Sequence, residues 1–303
     1  MDKGETVDDN SILLIVNPVA GKGQTGASLF SVMSVLCSEG RAVTTYMTDG
    51  RGKAFSLARA HGGDFGTLVC VGGDGTLSEV IGGLMHIPEG KRPNIGYIPM
   101  GTANDMAATL KLSKSPSAAA RCVVTGKPRT IDVGRLGDKY FGYVAAFGAF
   151  TEVSYSTPQD TKRALGHLAY ILEGMASLPR IKYYRAKVEY DGGVLEGDFV
   201  FGAVTNSTSV AGLVRLDPSD VGLSDGLFEV ILVKNPTRLG DLSSIFNGVL
   251  TSNFDNDNVL FLHTKKIRFT FDQPVAWTRD GESGGAFTVA DAENLSRAIR
   301  VII

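Results

Sequence analysis

Seven residues, Val71-Gly72-Gly73-Asp74-Gly75-Thr76-Leu77, constrain this chain more than any others. They follow a short apolar, β-branched run, Thr67 to Val71, that reads as a buried strand. They precede Leu77 to Met85, whose apolar positions fit a short helix. A strand-to-helix turn this dense in glycine presents open backbone N–H groups and lets a ligand approach without Cβ interference. The helix N-terminus just beyond favours an anion, most often a phosphate. Glycines alone would be explained by a tight turn that needs positive φ. The Asp and Thr held among them tilt the reading toward phosphate.

The same alternation runs through the first part of the chain. Ser11 to Val16 reads as a buried parallel strand that enters a second glycine turn, Asn17-Pro18-Val19-Ala20-Gly21-Lys22-Gly23. Helical spacing follows over Ala27 to Leu36, then a strand over Ala42 to Met47 and a short helix over Ala54 to Ala60. Asn94 to Pro99 gives a fourth strand, ending in Met100-Gly101-Thr102-Ala103-Asn104-Asp105, with helices over Met106 to Leu110 and Ser117 to Val124. Short strands alternating with helices predict an α/β domain with a parallel sheet covered on both faces. In such sheets ligands bind beyond the carboxyl ends of the strands. Three polar glycine turns (Asn17 to Gly23, Gly72 to Thr76, Gly101 to Asp105) fall at those ends. The first has neither the Walker spacing nor the G-x-G-x-x-G fingerprint. Lys22 is placed to reach a phosphate, a solvated surface lysine being the ordinary alternative.

After Gly126-Lys127-Pro128 the pattern changes, which divides the chain into domains of 1–127 and 128–303. Thr130 to Leu136 and Tyr140 to Phe147 flank a Gly137-Asp138 turn as a hairpin would. Further strands are expected over Lys182 to Tyr190, Val194 to Thr205, Leu227 to Val233, Val259 to Phe271 and Ala286 to Val289, with a hairpin turn at Asp191-Gly192-Gly193. Such repeats predict an all-β antiparallel sandwich. One helix, Thr161 to Leu178, interrupts them and places Leu165, Leu168, Ala169, Leu172 and Met175 on one face.

Composition narrows the function. Among 303 residues, 43% are hydrophobic and 20% charged, as in a globular protein with room for two cores. A net charge of −2 gives no support for nucleic acid as a partner. Cys37, Cys70 and Cys122 form neither a disulfide framework nor a zinc spacing, which suits a reducing cytoplasm. Met1 to Asn10 is acidic and polar, unlike a secretory signal. No apolar stretch approaches the roughly 20 residues that span a bilayer. Any membrane contact is therefore expected to be peripheral, from the cytosolic side, and an exposed sheet edge is a candidate for homodimer pairing.

Three elements carry a resemblance: Asn17-Pro18 with Gly21; Gly72-Gly73-Asp74-Gly75-Thr76-Leu77 with Glu79; and Pro99 with Gly101-Thr102-Ala103-Asn104-Asp105. Together they resemble the signatures of the diacylglycerol kinase catalytic family, which includes bacterial lipid kinases, sphingosine kinases and ceramide kinases. The Gly-Gly-Asp-Gly-Thr element is shared with NAD kinases and, altered, with phosphofructokinases, whereas Gly-Thr-Ala-Asn-Asp is more particular to the lipid kinases. Ala20 departs from the family, which usually has Ser there. The resemblance implies an NAD kinase/phosphofructokinase-like α/β domain, then a β-sandwich, with the active site in the cleft between them and the last residues, Ala298 to Ile303, returning to the first domain. It also likens Gly166-His167-Leu168-Ala169-Tyr170 to a segment near the lipid entrance.

The implied reaction transfers the γ-phosphate of ATP to the hydroxyl of a neutral lipid such as diacylglycerol, met at the membrane surface. Arg279-Asp280-Gly281-Glu282 resembles the family's late Asp-Gly-Glu element, which makes Asp280 the expected general base and Glu282 a holder of the nucleotide or its Mg2+. Asp74 is expected to act through the metal or the phosphates, and the amides of Gly73, Gly75 and Thr76 to cradle phosphate oxygens. Asn17, Thr102, Asn104 and Glu79 complete the expected nucleotide shell, with Thr48 and Arg51 as looser candidates. The loop Leu216 to Gly226 resembles a turn that carries a structural Mg2+ in some bacterial members, with Asp220 and Asp225 as ligands and a plain turn as the alternative. Two other readings stand beside the lipid kinase: an NAD kinase, and a nucleotide-gated lipid-binding protein without catalysis.

Overall fold

The computed structural model describes residues 10–23, 25–148, 182–210, 214–217, 219, 221–251, 254 and 256–303. The expected helix over Thr161 to Leu178, with His167, and the candidate ligand Asp220 lie outside them. The chain divides into two compact units, one running to Ile131 and including Arg297–Ile303, the other holding Asp132–Ser296. The crossing falls past Lys127, inside the strand Pro128–Leu136.

The first unit is built on a parallel sheet. Strands β1 (Ser11–Val16), β2 (Ala42–Met47), β3 (Thr67–Gly72) and β4 (Asn94–Pro99) stand in the order β4-β3-β1-β2, all pairs parallel. β1, β3 and β4 are buried almost end to end, which is why they read as continuous apolar runs. β2 pairs with β1 alone among the described strands and leaves Thr44 and Thr45 exposed. Helices α1 (Thr25–Leu36), α2 (Lys53–His61), α3 (Asp74–Leu84), α4 (Asp105–Thr109) and α5 (Pro116–Thr125) complete it. Leu14, Val16, Val32, Leu36, Val69, Val71, Ile98 and Val123 close one core layer, and Ile302 joins them from the far end of the chain. The C-terminal residues are tied in by backbone: Arg300 and Val301 pair with Asn94 and Ile95, and Lys127 and Ile303 exchange two hydrogen bonds of 3.1 Å.

The second unit is antiparallel, and its first strand begins, and its last strand ends, in the first unit. Its strands are β5 (Pro128–Leu136), β6 (Lys139–Phe141), β7 (Val144–Gly148), β8 (Tyr184–Tyr190), β9 (Gly193–Thr205), a short β10 (Ser209–Val210) and β11 (Val214–Arg215) pair, β12 (Phe228–Lys234), β13 (Val259–Thr264), β14 (Lys266–Arg279) and β15 (Glu282–Ile302). The long β9 and β14 each pair with β8 along one half and with β7 along the other, so these four strands close on themselves around an aromatic core. Phe147, Phe269, Phe271 and Trp277 meet there at centroid distances of 4.9–6.5 Å. Two expected single strands are split. Tyr140 to Phe147 is divided by Gly142-Tyr143, whose amides bind a side chain, and Val259 to Phe271 breaks at Lys265, where the partner changes from β12 to β8. Helix α6 (Leu239–Thr251) is unforeseen by the sequence reading. Among the described residues no helix is long and apolar enough to cross a membrane.

Candidate active site

The three glycine turns of the first unit follow β1, β3 and β4, and they are stitched to one another. The ladder runs on past the strands: Asn17 N–H donates to the Val71 carbonyl at 2.9 Å, Thr48 N–H to Val16 at 2.8 Å and Met100 N–H to Gly72 at 2.7 Å. Asn17 Nδ2 then donates to Thr76 Oγ1 at 3.0 Å, while Asn17 Oδ1 accepts the Val19 N–H. Gly73 and Gly101 approach so closely that a Cβ on Gly101 would lie 2.6 Å from the Gly73 Cα. Only glycine permits that approach.

Asp74 opens α3, and its carboxylate reaches into the neighbouring turn. Oδ2 accepts the Asp105 N–H at 3.1 Å and Oδ1 the Met106 N–H at 3.2 Å, which satisfies the opening donors of α4. Burial and then the Asp105 carboxylate push its pKa up. Asn104 holds its own turn. It adopts a left-handed φ of 53°, accepts the Gly101 N–H and donates to the Gly101 carbonyl, both at 2.8 Å. Beneath it lies Tyr97, buried, with its hydroxyl 3.5 Å from Asn104 Oδ1. Burial and then the Asp74 charge raise that phenol's pKa. Tyr97 was missed because its position in β4 looks purely apolar.

The other expected residues fall as follows. Gly73 and Gly75 are half-buried, Thr76 and Thr48 are buried, and Thr102 is exposed on the third turn. Arg51 is exposed. Lys22 stands in the single turn Ala20–Gly23, and its side chain lies outside the described part. Glu79 binds amides at the start of α2 through both its oxygens.

In the second unit, Asp280 and Gly281 are the two central residues of the tight turn between β14 and β15, with φ of 47° and 81°. Positive φ at both positions is the hairpin geometry that Asp-Gly favours. Glu282 opens β15 opposite Arg279. Asp280 is buried, 3% exposed, and its carboxylate is anchored by backbone: Gly142 N–H donates to Oδ2 at 2.6 Å, Tyr143 and Val144 N–H to Oδ1 at 3.0 Å.

The described part of the expected Mg2+ loop is tied down by hydrogen bonds. Asp225 is exposed and accepts the Leu227 N–H, while the carbonyls of Leu223 and Leu227 already accept the Asp132 N–H and the Asn294 amide. Among the described residues no three acidic, histidine or cysteine side chains gather as a metal set, and Asp220 lies outside those residues. What lies under the loop is a buried polar cluster that the sequence did not announce. Asp132 Oδ2 accepts the Gly226 N–H at 2.7 Å, and Glu229 Oε1 accepts the Gly222 N–H at 3.4 Å. Glu229 Oε2 and Asn206 Oδ1 have no partner among the described residues. Burial, reinforced by Asp225 and Asp132, pushes the Glu229 carboxyl up to about 8.

Comparison with known proteins covers nearly the whole chain. Residues 11–136 match the diacylglycerol kinase catalytic domain, and residues 144–303 match the YegS C-terminal NAD kinase beta sandwich-like domain. The chain is 32% identical to the diacylglycerol kinase of Bacillus subtilis (strain 168) over 293 residues, 96% of this chain and 95% of that one. It is 33% identical to the diacylglycerol kinase of Staphylococcus aureus (strain MRSA252) over 292 residues, 95% of this chain and 90% of that one. Two crystal structures from Bacillus anthracis str. Sterne share the fold. One has a TM-score of 0.81 at 24% identity, covering 97% of this chain and 96% of that one. The other, reported as a diacylglycerol kinase, has a TM-score of 0.76 at 22% identity over the same shares. Identity above 30% along nearly all of both chains, with a family match to each half, settles the relationship: the chain belongs to the diacylglycerol kinase family of lipid kinases.

Proposed function

We propose that this protein transfers the γ-phosphate of ATP to the free hydroxyl of diacylglycerol, giving phosphatidic acid. The observation that carries the reading is the fusion of three glycine turns by Asn17–Thr76, Gly73–Gly101 and Asp74–Met106. A rim of backbone N–H groups held this way suits a polyphosphate, whose charge spreads over many oxygens. ATP would be cradled by the amides of Gly73, Gly75 and Thr76, with Asn17, Thr48, Arg51, Thr102 and Asn104 around them. Its divalent cation, Mg2+ in this proposal, would arrive with the nucleotide, screening phosphate charge.

Asp280 is proposed as the base that takes the lipid hydroxyl's proton as the new P–O bond forms, with Glu282 beside it as a nucleotide or Mg2+ contact. Three amides fix the Asp280 carboxylate in one orientation, which removes the cost of ordering it during reaction. A lipid acceptor implies work at a membrane surface from the cytoplasm, as a peripheral protein. Pairing of two copies is proposed through an exposed sheet edge, for which β2 offers six residues without charge or proline.

The test is phosphorylation of diacylglycerol-bearing vesicles and of NAD by the purified full chain with labelled ATP. Labelled phosphatidic acid is expected. Label in NAD alone would mark an NAD kinase, and nucleotide binding with no labelled product would mark a binding protein.

A further inference from the structure

We propose that Glu79 is a positioning residue, one that sets the affinity of the nucleotide site without touching nucleotide. It does so by fastening the turn after β2, with Thr48 and Arg51, to the helix that begins at the phosphate loop. The inference rests on the nucleotide reading above and deepens it.

Glu79 sits in the second turn of α3, whose first residue is Asp74. Its Oε1 accepts the Gly52 N–H at 2.8 Å and its Oε2 the Ala54 N–H at 3.0 Å. Both oxygens thus hold the same segment, the start of α2. The amides they hold are opening donors of α2, which have no partner inside that helix. Gly52 stands at the cap position in a left-handed conformation, φ 75°, and has no side chain with which to cap. Glu79 supplies the missing acceptors, and its charge meets the positive end of α2.

The same two helices touch again one turn further along. A Cβ on Gly83 would run into the Phe55 carbonyl and lie 3.0 Å from both the Ala58 Cβ and the Arg59 nitrogen. Close packing at Gly83 and two charged hydrogen bonds at Glu79 make α2 and α3 one body. At its other end the turn is anchored by the Thr48 N–H donating to Val16 at 2.8 Å. The turn from Thr48 to Gly52 is therefore pinned to β1 on one side and to α3 on the other. A shift of α3 moves the phosphate loop and this turn together.

The experiment compares full-chain wild type, Glu79→Gln and Glu79→Ala by ATP affinity, KM for ATP, kcat, KM for diacylglycerol, the Mg2+ concentration for half-maximal rate, and amide hydrogen exchange. Glu79→Gln keeps the shape and loses one acceptor, so about a tenfold rise in KM for ATP is expected, with a larger rise for Glu79→Ala. Faster exchange at Gly52 and Ala54, with the lipid KM and the Mg2+ dependence unchanged, completes the expected result. A shifted Mg2+ dependence, or a kcat loss at unchanged KM for ATP, would overturn it in favour of direct contact with the reacting groups. Wild-type ATP binding with equal affinity in Glu79→Ala would overturn the positioning role alone. Absence of ATP binding by the wild type would overturn the nucleotide reading as well.

Discussion

The Asp74 carboxylate accepts the backbone N–H of Met106 at 3.2 Å, from 32 positions earlier in the chain. That bond makes the second glycine turn responsible for the geometry of the third. Asp74→Asn keeps the size but turns one acceptor into a donor facing the Asp105 or Met106 amide. A hydrogen bond lost at a buried site costs about 1–3 kcal/mol. Catalytic efficiency for ATP should fall by about tenfold or more, with a lower Tm. Unchanged kinetics would show that α4 needs no such cap.

Gly101→Ala tests the contact between turns without removing any polar group. Its methyl would sit 2.6 Å from the Gly73 Cα and 2.8 Å from Asn104 Oδ1, so the turns must separate. Overpacking of this kind costs about 1–3 kcal/mol. Isothermal titration should show ATP binding weakened by about tenfold or more. A variant that binds ATP as the wild type does would contradict the close approach.

Asp280→Asn should abolish phosphoryl transfer while ATP binding persists. The anchoring amides of Gly142, Tyr143 and Val144 add a second consequence, because Asn retains a single acceptor oxygen. A Tm drop corresponding to about 1–3 kcal/mol is expected beside the lost turnover. Full activity would refute the role as base, and an unchanged Tm would refute the anchoring.

Glu229 sets a pH dependence. Its folded-state pKa is raised from 4.5 to about 8, so the folded chain keeps a proton that the unfolded chain releases above about 4.5. Stability is therefore complete below that value and declines as pH rises toward 8. Calorimetry at pH 6 and pH 8.5 should show the wild type losing on the order of several degrees of Tm. Glu229→Gln, which cannot ionise, should lose much less. An equal loss in both would place the dependence elsewhere.

The first unit was nearly all readable from sequence because its central strands are buried end to end and its turns are rich in glycine. Strand β4 was placed at the same bounds, Asn94–Pro99, by pattern and by structure. The second unit was less readable. Val259 to Phe271 is one apolar stretch in sequence, yet the chain leaves β12 for β8 at Lys265, a change of partner that leaves no local mark. Helix α6 escaped because its start is signalled only by Asp241, which accepts the Thr237 and Arg238 N–H groups.

By itself the sequence determined which residues gather at the strand ends, since parallel alternation sends every such turn to one rim. It also determined the family, through motifs whose glycines and carboxylates stand at fixed spacing. Only the tertiary structure decided what those carboxylates touch. Asp74 caps α4, Glu79 caps α2 and Asp280 holds three amides, each bond joining residues far apart in the chain. Spacing cannot state such partners, because a carboxylate at a turn serves a ligand or a distant backbone amide equally well until the fold brings one of them within hydrogen-bond distance.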